Sequence, residues 1–326
     1  MAGLFNREEE RLETVVRLSG VSADTRASLI EEYRMRSEAA FAPATIRNYR
    51  QIKKTFALWC QSRGIDPEPP IEPRVIANYV EHLGGKIRST TIETRLWAIS
   101  EMHRAAFQPN PCRHRLVELA LKGVKRTYGA GVRQAPALCK KEVLAAIKRL
   151  GASRIEMRDK AVLWVATDSW CRSSEIVAFK VKDLIRQDNG SSLLYVSRSK
   201  TDPYGEGAYA FLSEAGTNAV LEWIRLANLK PDDPMLTKSQ QNGRVQQMDP
   251  ATISRIIKRC TGRDDVSAHS TRVGGVHDAF RIGCDLSAIM VAGRWTSPEM
   301  PARYGRRILA SQSAAAKVSA ELGQID

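Results

Sequence analysis

No two of the chain's six cysteines stand in a C-x-x-C spacing; Cys60, Cys112, Cys139, Cys171, Cys260 and Cys284 are scattered along 326 residues. That scatter argues against a disulfide framework and against a zinc site. The nearest approach to a metal cluster, Cys112 with His114, has no partner at ligand spacing. Metal-dependent strand-transfer chemistry needs carboxylates clustered at a site, and no such site can be pointed to in the sequence. Long apolar runs are missing as well, and none approaches the roughly 20 residues that span a bilayer. MAGLFNREEERLE turns charged before an apolar leader can form. The expectation is a soluble, cytoplasmic protein, nucleoid-associated in a bacterium, with no membrane partner.

Acidic residues are the scarce charged class. Fifty Lys and Arg stand against 36 Asp and Glu, for a net charge of +14 and a pI near 9.7. From Lys122 to Lys141 there is no acidic residue at all. An enzyme of small metabolites has no need of this excess, whereas a protein lying along a polyphosphate backbone does.

The chain has the length of about two domains. Residues 1–40 are charged and helix-prone, with a short apolar stripe at Leu12, Val15, Val16 and Leu18, and read as a helical extension. Residues 41–127 are helical throughout. In PATIRNYRQIKKTFALWC, Ile46, Tyr49, Ile52, Phe56 and Trp59 recur at helical spacing toward a core, with Arg47, Arg50 and Lys54 on another face. VIANYVEHL and HRLVELALKGVKR give two more helices, the latter carrying Lys122, Lys125 and Arg126. A fourth opens at Thr90 with capping-box spacing to Glu93 and turns Ile92, Leu96, Ile99 and Met102 inward. Residues 128–137, within YGAGVRQAPA, read as a basic linker. Residues 138–326 mix helices with two strands, SSLLYVSRS and AYAFLS, joined by the turn KTDPYGEG. The fold class expected is mainly α with a small antiparallel sheet: an all-α domain followed by an α+β domain.

Four places in the second domain carry groups suited to one task. CRSSEIV offers Arg172 and, one turn on, Glu175; the hairpin turn offers Lys200; AHSTRVGG offers His269 and Arg272 on one helix face; GRWTSPEMPARYGR offers Trp295 and, nine positions later, Tyr304. Any one of these has an ordinary structural explanation. In this order, R-S-S-E-I-V, a hairpin lysine, H-S-T-R-V-G and G-R-W-T closing on a tyrosine resemble the tyrosine site-specific recombinases, and are most similar to the Cre subgroup, where tryptophan stands in a place that many relatives give to histidine. The resemblance covers the second domain in order, and more weakly the first, which looks like the family's core-binding module.

The residue types suit phosphoryl transfer. Arginine stays protonated, and its planar fork meets two oxygens of a charged phosphorus centre. Two such groups, Arg172 and Arg272, with the indole N–H of Trp295, would stabilise a five-coordinate phosphorane. A phenol of pKa about 10 needs help to attack, and His269 can take the proton of Tyr304. The resemblance gives Lys200 the role of general acid toward the departing 5′-hydroxyl. It further implies a 3′-phosphotyrosine intermediate that needs neither ATP nor metal nor other cofactor, and a homotetramer on two DNA duplexes bearing paired inverted-repeat sites. Phosphate contacts are expected from Arg47, Arg50, Lys54, Lys122, Lys125 and Arg126. Type IB topoisomerase-like nicking and resealing, and a catalytically silent DNA-binding accessory factor, are the alternatives.

Some positions stay open at this level. Glu175 either orients its neighbours or forms a plain surface ion pair. Gly274 and Gly275 either let the helix approach a phosphate or ease packing. His277 reads as structural. Ile308, Ala315, Val318 and Leu322 form a thin stripe on a C-terminal helix that docks on the next protomer or folds back. SPEMPARY suggests a helix capped by Ser297 with Pro298 at its first position, leaving Pro301 at the fourth, where it would loosen the turn bearing Tyr304.

Overall fold

The computed structural model describes residues 23–131, 134–197, 205–238 and 245–323. The chain divides into two compact units, Met1–Arg133 and Gln134–Asp326. The break falls inside YGAGVRQAPA, where glycines and a proline leave no helical period.

Five helices build the described part of the first unit: α1 (Ala23–Ala40), α2 (Pro43–Gln61), α3 (Pro73–Leu83), α4 (Ser89–Ala105) and α5 (Arg115–Tyr128). Helix α1 belongs to this unit rather than standing apart from it: Tyr33 Oη donates to Glu101 Oε2 of α4 at 3.1 Å, and its ring meets Phe107 edge-on. The apolar stripes converge as their spacing predicts, with Ile52, Phe56 and Trp59 of α2 packed among Ile76 and Val80 of α3, Ile92 and Ile99 of α4 and Val117 of α5. Ile46 and Tyr49 stay only half-buried. The capping box expected at Thr90 does not form. Helix α4 already begins at Ser89, with Arg88 flanking it, so Thr90 lies inside the first turn with no free helix end to cap.

The second unit starts with α6 (Lys140–Arg149), α7 (Arg154–Asp168) and the short α8 (Ser173–Ala178). Three antiparallel strands follow, β1 (Leu184–Arg186), β2 (Ser192–Val196) and β3 (Ala208–Leu212), in that order across the sheet. Strand β1 was not legible in the sequence, because three residues are too few to display an alternation. Leu194 and Val196 of β2 and Ala210 and Leu212 of β3 face the core. Helices α9 (Glu214–Ala227), α10 (Pro250–Thr261), α11 (Ala268–Arg281), α12 (Leu286–Gly293), α13 (Glu299–Ser311) and α14 (Ala314–Leu322) complete the unit.

Helix α7 is the centre of this core. Ala161, Val162, Leu163, Val165 and Ala166 are all buried, so the helix is apolar on nearly every side rather than along one stripe. Its C-terminal Asp168 accepts from Lys140 Nζ at 2.8 Å and from the backbone N–H of Ser213 at 2.9 Å, tying the starts of α6 and α9 together. Helix α11 crosses this scaffold closely. Leu138 N–H donates to Ser270 O at 2.9 Å. A Cβ on Gly274 would lie 1.9 Å from Leu138 O, and one on Gly275 would lie 2.3 Å from the Trp170 ring. Both glycines are therefore packing residues of the helix that presents the site.

Gly274→Ala, which drives a methyl into backbone, is expected to destabilise the protein by about 1–3 kcal/mol. Gly123→Ala on α5, where a Cβ meets nothing within 4 Å, should stabilise it by up to about 1 kcal/mol. Urea denaturation midpoints of the two variants check this pair.

Candidate active site

Arg172 sits at the residue flanking the N-terminus of α8. Its backbone N–H donates to Glu175 Oε2 at 2.9 Å and its Nη1 donates to Glu175 Oε1 at 2.7 Å. The single carboxylate thus fixes both the backbone and the side chain of the arginine, which keeps about a quarter of its side chain open to solvent (23%). Burial pushes the Glu175 carboxyl up, but the hydrogen bonds from Arg172 and the charges of Arg294 and Arg172 outweigh it and hold Glu175 below the usual carboxylate range. Glu175 is buried and is not a surface ion pair.

Arg272, on α11, has no exposed surface. Among the described residues no carboxylate touches it. Nη1 donates to Trp170 O at 2.5 Å, Nη2 donates to Gly293 O, and the guanidinium lies 4.1 Å from the centroid of the Trp295 ring. Its Nε is a buried donor with no partner among the described residues. Desolvation, then the charges of Arg172 and Arg294, push its pKa down to about 10, which leaves it protonated at neutral pH. Trp295 therefore meets the site through its ring face, stacked on a cation.

His269 precedes Arg272 by one turn of the same helix. Its Nε2 lies 2.9 Å from Tyr304 Oη, with the two rings edge to face. Although part of the residue stays open to solvent, desolvation of the ring and then the charges of Arg272 and Arg172 hold the imidazole below its ordinary pKa, so it is neutral near pH 7. With the proton on Nδ1, Nε2 accepts from the phenol. Burial raises the Tyr304 hydroxyl above the usual phenol value, while Arg272 and Arg172 pull the other way.

Tyr304 is held at its backbone as well. His277 Nε2 donates to Tyr304 O at 2.9 Å, and Gln134 Nε2 donates to the same oxygen at 3.2 Å. Helix α11 thus grips the tyrosine twice, by His269 at the hydroxyl and by His277 at the carbonyl. Gly305 lets α13 close on Phe280, where a Cβ would sit 2.2 Å from the ring. The expected loosening at Pro301 is not what the structure shows. Helix α13 starts at Glu299 with Pro298 flanking it, and Ser297 provides no cap. Pro301 is then the third helical residue, whose N–H has no acceptor within a helix in any case, so the proline removes no bond. It is itself buried.

Arg172, Glu175, His269, Arg272, Trp295 and Tyr304 come together in the second unit; Lys200 lies outside the described residues. Of the expected phosphate contacts, Arg47, Arg50 and Lys54 are exposed on α2, and Lys122 and Arg126 on α5, with Lys125 partly buried. Two are already paired, Arg50 with Glu38 at 2.9 Å and Lys125 with Glu93 at 2.5 Å. Arg294, inside the G-R-W-T motif, is a further residue of the site that the sequence pattern did not single out: its Nη2 donates to Glu175 Oε2 at 2.9 Å. The carbonyl of Trp170 was equally illegible, because backbone acceptors leave no mark on residue identity. Among the described residues no group of three His, Cys, Asp or Glu side chains is placed to hold a metal ion, and no helix is long and apolar enough to cross a membrane. The arrangement suits an oxyanion bound between guanidinium groups and a phenol delivered to it by a neutral imidazole.

The model of the phage integrase family matches residues 137–308, which span all of these groups. Recombinase Cre of Escherichia phage P1 is 26% identical over 320 residues, covering 89% of this chain and 91% of the relative. The XerD homolog, an integrase/recombinase of Selenomonas ruminantium, is 28% identical over 286 residues, covering 82% and 83%. Two solved structures share the fold at low identity. The Tn1549 transposon integrase in complex with transposon right end DNA has a TM-score of 0.61 at 12% identity, covering 92% of this chain and 99% of that one. A lambda integrase dimer bound to a COC′ core site has a TM-score of 0.57 at 15% identity, covering 85% and 94%. With over half its length matched and the buried Arg272 and Tyr304 inside that span together with His269, the chain belongs to the phage integrase family of tyrosine recombinases.

Proposed function

We propose that the protein is a site-specific DNA recombinase that cleaves and exchanges strands through a covalent 3′-phosphotyrosine intermediate. The observation that carries this reading is the 2.9 Å contact between His269 Nε2 and Tyr304 Oη beside a buried, protonated Arg272. In the cleavage step His269 takes the phenolic proton as the Tyr304 oxygen attacks phosphorus. Arg272 and Arg172 hold the non-bridging oxygens, and the unpartnered Nε of Arg272 supplies a donor that an incoming anion would satisfy. The P–O5′ bond breaks and the 5′-oxygen leaves with a proton from Lys200, the role the family resemblance gives it. Attack on the phosphotyrosine by a 5′-hydroxyl of the partner duplex reverses these transfers. The bond energy stays in the ester, so the step calls for neither nucleotide nor metal cofactor.

The first unit acts as the core-binding domain, laying Arg47, Arg50, Lys54, Lys122, Lys125 and Arg126 along phosphates, with the segment around residues 128–137 as linker. The assembly is a homotetramer on two duplexes with paired inverted repeats. Support comes from α14, which buries none of its side chains and leaves Val318 and Leu322 exposed for a neighbouring protomer.

Tyr304→Phe should retain DNA binding and lose the covalent adduct that the unaltered chain forms with a randomised pool of nicked duplexes. An adduct mapped by proteolysis to another side chain would sink the reading. Because the neutral imidazole is the base and its pKa is depressed, cleavage at sub-saturating DNA should persist down to a pH below the ordinary histidine value of about 6.5 and fall off only there. A pH–rate profile with its acid limb at or above that value contradicts the assignment of His269. Removing residues 314–326 should spare cleavage and abolish pairing of two duplexes in a native gel.

A further inference from the structure

Helix α12 ends in a chain reversal at Arg294, which takes up left-handed backbone (φ 55°, ψ 48°). The reversal is closed by Arg294 N–H donating to Val291 O at 3.1 Å and Trp295 N–H donating to Met290 O at 3.0 Å. Glycine fills this position most readily, because a side chain there meets the following carbonyl. An arginine that accepts this conformation, with only 9% of its side chain exposed, invites a reason.

Its contacts supply one. Nη1 donates to Ser169 O at 3.2 Å, and Nη2 donates to Glu175 Oε2 at 2.9 Å and lies 3.3 Å from Cys171 Sγ. These three partners bracket Arg172 on both sides. Glu175 is the carboxylate that holds Arg172 by backbone and side chain together. Two guanidinium groups thus share one buried carboxylate, Arg172 chiefly at Oε1 and Arg294 at Oε2. The same reversal folds the Trp295 ring back onto Gly293, where a Cβ would lie 1.8 Å from it, and over the guanidinium of Arg272. Gly293 in turn gives its carbonyl to Arg272. One residue is therefore linked to both arginines of the site without lying against the reacting hydroxyl.

We propose that Arg294 is a positioning residue for strand transfer, which locks Glu175 so that Arg172 is held at the phosphate and which turns Trp295 over Arg272. The proposal rests on the recombinase reading above and deepens it. A bare structural role as a helix terminus would need the backbone reversal alone, and glycine would serve that better.

The test uses the full-length chain and the nicked duplex recovered from the adduct that the unaltered protein forms with a randomised pool. Arg294→Gly suits the left-handed backbone but removes the lock. Its adduct-forming rate at saturating duplex should fall on the order of 100-fold, the loss typical of a misplaced reacting group, with duplex affinity retained. Arg294→Lys, which keeps a cation near Glu175, should recover part of that rate. If Arg294 works through Glu175, adding Glu175→Gln to Arg294→Gly costs no more than the worse single change, whereas independent roles multiply. A multiplied loss overturns the proposal, as does wild-type cleavage by Arg294→Gly. Should thermal melting show Arg294→Gly unfolded, the cycle is run with Arg294→Lys and judged by the same criterion. If the unaltered protein forms no adduct, the recombinase reading falls first and takes this proposal with it, a result distinct from the others.

Discussion

The constraint on which the second unit depends is the burial of an ionised arginine. An unpaired charge withdrawn from water costs several kcal/mol even after relaxation, and among the described residues Arg272 has no carboxylate against it. What compensates is a set of fixed dipoles: the carbonyls of Trp170 and Gly293 and the face of the Trp295 ring. Both carbonyls stand at chain reversals. Trp170 is itself left-handed (φ 50°), and Gly293 precedes the left-handed Arg294 (φ 55°). Two reversals, from segments far apart in the chain, aim their acceptors at one guanidinium.

The charge that is costly to hold also sets the acid–base state of its neighbours. Arg172 and Arg294 share a single carboxylate, Glu175, and Arg272 adds a third cation with no carboxylate against it among the described residues, so the site is left positive. That field disfavours imidazolium at His269 and favours phenolate at Tyr304, opposing the effect of burial on the tyrosine. Neighbouring groups with opposite needs are served by the same cations. In the first unit the solvent-facing pairs Arg50–Glu38 and Lys125–Glu93 are worth little in water.

Much of this was legible from residue order. The helical stripes of the first unit were readable because Ile92, Leu96, Ile99 and Met102 repeat at the helical period, and burial follows period directly. His269 and Arg272 were readable as a pair because three positions on a helix mean one face. Other features were not. Strand β1 carries too few residues for a pattern, and the capping box at Thr90 failed because the neighbouring residue had already entered the helix. Pro301 was assigned one position too late, and in a first turn one position decides whether a proline deletes a hydrogen bond.

By itself, the sequence determined the fold class and the basic character, and it singled out Arg172, Lys200, His269, Arg272, Trp295 and Tyr304 as candidates, since chemistry and local periodicity are properties of residue type and spacing. Only the tertiary structure decided what holds those groups: the carbonyls of Trp170 and Gly293, the grip of His277 on Tyr304, and the sharing of Glu175 between two arginines. Two of these contacts join segments more than a hundred residues apart, Arg272 with Trp170 and Arg294 with Glu175, and those of Arg272 with Gly293 and His277 with Tyr304 join separate helices that only packing brings together. Backbone carbonyls look alike in every sequence, and only folding shows which of them meet a charge.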